Sequence, residues 1–502
     1  MDNTQEKLNA NEIAANGPIP GDVTLYEAEL AGCRTLKTPG YFSSQNGAEL
    51  ADAQRSAIFP FAHFTGSMTE PNEVFAYRSE TDYPGASYIN TRLPGELYLA
   101  GGDFPPLTGP CPAGPYLSKV DAASGKEIWR THVDNANISK RWIGNVNLNI
   151  MPNGKIPLAW SNRIALIDGD TGEILKTQIL PSGETDPADV NYKHLTIAPD
   201  GTLICKDQTR PTGMKQQGTM AIIQGIMKGL KQTNSYMVAL HPETLEILDE
   251  IQIPEPASVP HTITMLDGKI AIYVGVDSGV IRFFWDSEKK KLSQDTGWVV
   301  KPMKPGQTTV AAASILGDWI ILQTNGAGST VISSSIVAVH NKDASRMNVI
   351  FPFGDLPEGG WSFCPPKPQV DPENSLIYSA DMGVRKVACI NINQETGDLS
   401  LRYVLDDTTN TFQPLIGPKE NRIQILSNIV PLDPNSTTQQ MVFSGQYKEQ
   451  VTWREASTGR ILAESDFFEP LTINSLIVPG FGGRFYFPTL KRFYILQVLP
   501  KS

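Results

Sequence analysis

A hairpin motif near residue 120 constrains the fold of this chain more than any other feature. Residues 117–132 are predicted to form a strand, a tight turn and a second strand. Asp121 precedes the turn at Ser124-Gly125, and Trp129 follows four residues after the glycine. Weaker copies recur at Asp168, Thr171 and Gly172, at Thr396-Gly397 and at Thr458-Gly459. The recurrence indicates a repeat protein, although a length of 502 residues alone would suggest about three ordinary domains.

The repeated unit has the size of a propeller blade. Each unit is predicted to hold four short strands over roughly 45–60 residues, and such blades pack side by side around a central channel. The C-terminal end supplies only three strands. Residues 23–30 alternate apolar and polar side chains and are predicted to be the fourth, which closes the ring. The sequence therefore predicts an all-β, eight-bladed β-propeller. Seven blades is the alternative, because the first unit is poor in early strands.

Three segments depart from the repeat. Residues 1–20 are predicted to be a flexible polar tail, and residues 21–502 one propeller domain. Within that domain, residues 32–94 are predicted to be an irregular leader that covers one face. Residues 211–232 interrupt the third blade, and apolar side chains at helical spacing predict a short helix there. This insertion is either an apolar lid over an organic ligand or a helix packed on a loop or a second copy.

Composition narrows the partners and the compartment. The formal net charge of −11 argues against a nucleic acid or an anionic membrane as a partner. The five cysteines are scattered without a CxxC pair, which favours reduced thiols over a disulfide framework. No apolar run is long enough to span a membrane. The first residues show no signal peptide, so a cytoplasmic location is the default expectation; a removed leader would leave the periplasm or secretion open. The sequence predicts no oligomeric state.

The motif around Trp129 resembles the repeat of the quinoprotein alcohol dehydrogenase-like propellers, Ala-x-Asp-x-x-Thr-Gly-x-x-x-Trp. The matching residues are Val120, Asp121, Ser124, Gly125 and Trp129. The resemblance extends from about residue 96 to the end of the chain, and it implies that the motif tryptophans dock between neighbouring blades. The dehydrogenases of that family carry adjacent cysteines beside their quinone and a carboxylate-rich calcium site. Neither pattern occurs here, so the resemblance implies the fold without a quinone-binding dehydrogenase.

Two histidines are the leading candidates for chemistry. By analogy with known propellers, binding sites form where two sets of loops converge: those that enter the innermost strands and those that join the second strand of a blade to the third. His194 and His261 stand at equivalent positions of consecutive blades, with Lys206 and Asp277 from the same two blades nearby. Paired imidazoles beside an ammonium and a carboxylate can move protons or stabilise an oxyanion. Two alternatives remain: each histidine merely caps its strand, or the histidines and an aspartate hold a divalent metal.

Further candidates come from the same loops. The predicted substrate-binding residues are Arg210, Asp381, Arg385, Trp361 and Tyr447, together with His63 if the leader folds over the channel. By contrast, His241 and His340 follow third strands and are predicted to be turn residues.

The favoured functional hypothesis is an acid–base enzyme without an organic cofactor. It would be a lyase, an isomerase or a hydrolase that acts on a small, partly apolar organic substrate at the channel mouth. Two alternatives belong to other classes. One is a non-catalytic binding or scaffold propeller, and the other is a quinone- or metal-dependent oxidoreductase.

Overall fold

Eight sheets stand side by side in a ring in the computed structural model. It describes residues 20–36, 38–102, 114–134, 141–142, 146–218, 220–304, 307, 312–325, 332–356, 360–364, 367–409, 414–470 and 476–501. Within these ranges seven sheets have four strands and one has five. The innermost strands of consecutive blades contact one another, as they do only near the axis of a ring. The prediction of an eight-bladed, all-β propeller is confirmed.

Blades 1 to 7 each form from consecutive strands that run from the channel to the rim. The strands of blades 1 to 4 are Tyr88–Thr91, Glu96–Gly101, Tyr116–Asp121 and Glu127–His132; Asn147–Leu148, Ile156–Trp160, Arg163–Ile167 and Ile174–Ile179; Val190–Ile197, Leu203–Thr209, Tyr236–Leu240 and Ile247–Gln252; His261–Leu266, Lys269–Val276, Gly279–Asp286 and Lys291–Val300. Those of blades 5 to 7 are Ser314–Leu316, Trp319–Gln323, Ile336–His340 and Met347–Ile350; Gln369–Asp371, Leu376–Asp381, Lys386–Ile392 and Leu399–Leu405; Leu415–Ile416, Ile423–Pro431, Tyr447–Glu455 and Ile461–Phe468.

The core lies between blades. The second strand of blade 2, Ile156–Trp160, is buried along its whole length, whereas the outermost strand, Ile174–Ile179, is mostly exposed. The middle strands are therefore apolar on both faces, because a neighbouring blade covers each face. Every large cluster of buried side chains joins two consecutive blades. Val120 of blade 1 packs with Phe493 of blade 8, so the ring is complete.

The strand that closes the ring is not the one that the sequence predicts. Residues 23–30 form a short 3₁₀ turn, Val23–Leu25, and the start of an α-helix, Tyr26–Thr35. The fourth strand of blade 8 is Asn72–Arg78, antiparallel to Phe493–Pro500. Blade 8 also contains Val478–Pro479 and Arg484–Pro488.

Local preferences explain this difference. The Asp22 carboxylate caps the 3₁₀ turn by accepting a hydrogen bond from the Thr24 backbone N–H at 2.9 Å. The residues that follow are rich in alanine, glutamate and leucine, and two glutamates lie in the first turn of the helix. These residue types favour a helix, and negative charge in the first turn suits the helix dipole. Alternation over eight residues was too weak a signal to outweigh them.

The predicted leader, residues 32–94, contains three strands rather than irregular chain alone. Ile58–Phe59 pairs in parallel with Leu415–Ile416 of blade 7, and Asn72–Arg78 closes the ring. Tyr88–Thr91 is the innermost strand of blade 1. This early strand completes the first unit, which is why eight blades is the right count.

Part of the leader crosses the central channel, and we call residues 41–59 the channel segment. Its backbone bonds to the inner strands of several blades. The Thr91 N–H donates to the Asn46 carbonyl at 2.9 Å, and the Ile263 N–H donates to the Ala53 carbonyl at 2.9 Å. Since Thr91 belongs to blade 1 and Ile263 to blade 4, the segment must pass through the middle of the ring.

Two further helices lie in loops that join second and third strands. Met220–Met227 confirms the predicted helical insertion, and Thr438–Ser444 lies in the corresponding loop of blade 7. In the described ranges no helix is both long and apolar enough to cross a membrane. Cys33, Cys205, Cys364 and Cys389 are buried and unpaired, as predicted; Cys111 falls outside the described residues.

Candidate functional site

The two predicted histidines meet a lysine at the inner junction of blades 3 and 4. His194 lies in the innermost strand of blade 3, directly opposite Lys206 in the second strand. Directly opposed residues in antiparallel strands project to the same face of a sheet. That face packs against blade 4, where His261 begins the innermost strand. Each of these three residues is at most 1 % exposed, so the fold removes them all from bulk solvent.

The histidine rings lack partners within the described protein. Neither Nδ1 nor Nε2 of His194 or of His261 makes a hydrogen bond. Burial holds the pKa of each imidazole well below its usual range, and the charges of Lys206 and Arg55 lower both further. Both rings are therefore neutral at pH 7. Because buried polar atoms nearly always find a partner, these four nitrogens indicate that a water or a ligand binds beside them.

Lys206 is anchored rather than free to move. Its Nζ donates to the Asp207 carbonyl at 2.6 Å and to the Ala257 carbonyl. Burial lowers the pKa of Lys206, and the adjacent Asp207 carboxylate partly opposes that effect. Burial likewise raises the pKa of Asp207, whose Oδ1 accepts from the Tyr236 N–H at 2.8 Å. Lys206 thus stands at a fixed place beside the two imidazoles.

The channel segment adds a buried ion pair to this cluster. Arg55 forms a salt bridge with Glu49, and both side chains are almost fully buried. Glu49 also accepts a hydrogen bond from Asn147 of blade 2. The sequence reasoning missed Arg55 because it lies in the stretch predicted to be irregular. Nothing in the sequence around Arg55 and Glu49 indicates that the two side chains enter the channel.

A second lysine, Lys367, approaches from the loop that leads into blade 6. It is buried and donates to the Ser314 hydroxyl at 2.9 Å. Burial lowers the pKa of Lys367 to about 7, and Arg55 adds to that shift, whereas the carboxylates of Asp52 and Glu49 oppose it. The channel thus collects cationic side chains from separate blades. Such an arrangement attracts anions.

Three predicted site residues lie outside the channel cluster. Asp277 is exposed at the tip of its loop in blade 4. Arg210 is ion-paired with Asp189, and its Nη1 donates to the Gln216 carbonyl at 3.1 Å. The Nδ1 of His63 lies 2.8 Å from Oε1 of the buried Glu29, in the N-terminal helix.

The other four predicted residues are brought together between blades 6 and 7. Asp381 accepts hydrogen bonds from Ser334, Ser362, Phe363 and Gly383. Trp361 and Tyr447 belong to one buried apolar cluster, and Arg385 lies at its edge. The sequence predicts one site for all these side chains. The structure instead puts three at the junction of blades 3 and 4 and four between blades 6 and 7, and it leaves the other three outside both groups.

The histidines predicted to be turn residues do hold turns. Nδ1 of His241 accepts from the N–H groups of Glu243 and Thr244, each at 3.2 Å. Nδ1 of His340 accepts from the Lys342 N–H at 3.3 Å.

Comparison with known proteins identifies the fold. The sequence matches no protein-family model and no curated protein. Among solved structures, the quinohemoprotein alcohol dehydrogenase ADHIIG of Pseudomonas putida HK5 superposes with a TM-score of 0.55 at 9 % identity, over 96 % of this chain and 82 % of the other. The chain has the fold of the quinoprotein alcohol dehydrogenases. The quinohemoprotein alcohol dehydrogenase of Comamonas testosteroni gives 0.50 at 11 % identity, over 96 % and 86 %. BamB of Moraxella catarrhalis gives 0.47 at 10 %, over 84 % and 98 %.

The expectation of a cofactor-independent lyase, isomerase or hydrolase is wrong. Two solved structures that share this fold over 96 % of the chain are named quinohemoprotein alcohol dehydrogenases, and none of the comparisons supports a lyase, an isomerase or a hydrolase. The described site agrees with this correction. The predicted catalytic carboxylate, Asp277, is exposed, and both imidazoles lack the hydrogen-bonded partner that normally fixes the tautomer of a catalytic histidine.

The channel residues do not fit the divalent metal of such dehydrogenases. No three histidine, cysteine, aspartate or glutamate side chains of the described residues come together as a metal site. Glu49 is already paired with Arg55, and Asp52 accepts from the Ser56 N–H and hydroxyl at 3.1 and 2.8 Å. The neighbouring Arg55, together with Lys206 and Lys367 in their protonated forms, would repel a divalent ion.

Proposed function

We propose that this protein is a binding propeller that holds a small anionic molecule in its central channel, at the inner ends of blades 3 and 4. One observation carries the proposal. Four imidazole nitrogens, on His194 and His261, are buried without a protein partner beside the cations Lys206 and Arg55. A carboxylate or phosphate group beside the two rings would accept hydrogen bonds from their N–H groups.

The lowered pKa values predict how such a ligand would bind. In the ligand-free protein burial lowers the pKa of both imidazoles, and the charges of Lys206 and Arg55 lower it further. A bound anion opposes those charges and raises the pKa of both rings. Binding would therefore take up protons and would become tighter as the pH falls toward 6.

The same geometry supports binding rather than catalysis. Two backbone carbonyls hold the Lys206 ammonium. Glu49, an acidic side chain of the channel segment, is engaged by Arg55 and Asn147. The cluster therefore offers fixed donors and positive charge, which suit recognition of an anion.

Isothermal titration with citrate, malonate and inorganic phosphate, at pH 6 and pH 8, tests the proposal. At least one probe should bind one site, more tightly at pH 6, and buffers of different ionisation enthalpy should show proton uptake. The His194→Ala/His261→Ala double variant should bind at least about tenfold more weakly. His241→Ala/His340→Ala is the matched control and should bind like the wild type. If none of the three anions binds, or if the two double variants bind equally well, the proposal is wrong.

A further inference from the structure

A cavity opens between blades 6 and 7, away from the histidines of blades 3 and 4. Its volume is about 520 Å³, within the range of sites for small organic molecules. The residues that line it come from loops on the side of the ring where the innermost strands begin. They are Phe353, Asp355, Gly360, Trp361, Gly383, Val384, Arg385, Lys386, Thr437, Thr438 and Gln439.

One wall of this cavity is a rigid aromatic surface. The Trp361 ring stacks on Phe363, with centroids 4.9 Å apart and planes 17° from parallel. Asp381 fixes the backbone on both sides of the wall, because it accepts from the Phe363 N–H at 3.0 Å and the Gly383 N–H at 2.9 Å. Gly383 packs so closely that a Cβ there would lie 1.7 Å from the Trp361 carbonyl oxygen. The ring therefore has little freedom to leave its position.

The cavity is also lined by two adjacent cationic side chains, Arg385 and Lys386. Arg385 has a left-handed backbone, with φ of 57°. Its Nε donates to the Thr438 hydroxyl and its Nη2 to the Ser436 carbonyl, both at 3.0 Å. The guanidinium is thus held in place before any ligand arrives, which lowers the entropic cost of binding. Lys386 adds a second positive charge, and Asp355 is the one carboxylate among the lining residues.

We propose that this cavity is a second binding site, which takes an aromatic carboxylate. The ring of the ligand would lie against Trp361, and its carboxylate would meet Arg385 and Lys386. A planar guanidinium matches the two oxygens of a carboxylate, and the part of the Trp361 indole that lines the cavity offers an apolar contact. This site shares no residue with the channel cluster. Its test is therefore independent of the test for anion binding in the channel.

Titration with 2-naphthoate tests this site, with the neutral 2-naphthylmethanol as the matched probe. Naphthoate should bind with saturation and should shift the resonances of the cavity residues in protein-observed NMR. The neutral alcohol should bind at least about tenfold more weakly. Arg385→Gln/Lys386→Gln should weaken naphthoate binding by a similar factor. Lys386→Gln alone leaves the Arg385 anchor intact and should give a smaller loss.

The chain offers a closely matched control for this change. Lys289→Gln/Lys290→Gln also removes two adjacent cations, and Lys290 is also left-handed, with φ of 50°. This variant on the outer hairpin of blade 4 should bind naphthoate like the wild type. The His194→Ala/His261→Ala variant should do so as well. The assignment is wrong if the two probes bind equally well. It is also wrong if both charge variants lose naphthoate affinity to the same extent, or if the histidine variant loses it.

Discussion

A buried lysine shows how the channel sets the charge of a single side chain. Burial lowers the pKa of Lys367 to about 7, whereas an unfolded chain gives a lysine its ordinary value of 10.5. Below pH 7 both states bind the proton, and the folded state bears the full cost of burying a charge. Between the two pKa values the unfolded chain alone binds it, so stability rises with pH, and above 10.5 the effect is complete.

Replacing this lysine should therefore stabilise the protein most at low pH. Lys367→Met should be more stable than the wild type at pH 6.5, and the advantage should shrink by up to about 1.4 kcal/mol per pH unit above pH 7. Urea unfolding at pH 6.5, 8.0 and 9.5 measures the difference. The exposed Lys126→Met serves as the control. A stability difference for Lys367→Met that is the same at all three pH values would contradict the prediction.

Individual residues could be predicted from the sequence where the repeat placed them. His194, Lys206 and His261 come together because each stands at a defined register position near the inner end of its blade. Trp129 also behaves as the resemblance implies, since its Nε1 donates to the Asp170 carbonyl of the next blade at 3.0 Å. Trp319 packs on Gly397 in the same way, but it comes from a second strand. The motif places its tryptophan after the turn, so it could not predict that Trp319 of a second strand would take this role.

At the level of elements, the channel segment is the most strained part of the described chain. Leu50, Ala51, Arg55 and Ala57 all have positive φ, from 56° to 77°. A left-handed backbone costs a non-glycine residue about 1–2 kcal/mol. The contacts of the segment with the inner strands must outweigh that cost.

Releasing part of this strain should stabilise the fold. Ala51 has φ of 77°, so Ala51→Gly should raise the free energy of unfolding by up to about 1 kcal/mol, after the higher entropy of glycine in the unfolded chain is subtracted. Ala53→Gly is the matched control. Ala53 packs on the cores around blade 3 without a positive φ, so its replacement should lower the free energy by about 1 kcal/mol. Denaturant unfolding measures both, and effects of equal sign would refute the strain argument.

The elements that the sequence placed wrongly share one cause. Those before residue 79 precede the consecutive blades, so neither register nor spacing constrained them. The helix Tyr26–Thr35 and the strands Ile58–Phe59 and Asn72–Arg78 take their positions from contacts with blades 7 and 8, far away in sequence. Local patterns cannot report such contacts.

At the level of the whole molecule, ring closure depends on one N-terminal strand. Ala76 lies in the middle of Asn72–Arg78, is 7 % exposed and packs in the core between blades 7 and 8. Ala76→Asp should destabilise the protein by about 3 kcal/mol or more, because it buries an unpaired carboxylate. Val23 belongs to the segment that the sequence assigned to this role, and it is 65 % exposed.

Comparing the two positions separates the assignments. Val23→Asp should change the free energy of unfolding by less than about 0.5 kcal/mol. Urea unfolding, together with limited proteolysis of the 72–78 region, measures both variants. A large effect at Val23 with none at Ala76 would mean that the ring closes through residues 23–30 after all.

Because the two strands that close the ring lie far apart in the sequence, blade 8 cannot form until translation is almost complete. Residue 78 leaves the ribosome long before its partner Tyr494 exists. At about 5–20 residues per second, the N-terminal strand waits roughly 20–80 s for that partner. During this interval its backbone donors and acceptors form an open edge, to which strands of other nascent chains can add. The yield of the protein in cells should therefore depend on the supply of chaperones that cover such edges while translation continues.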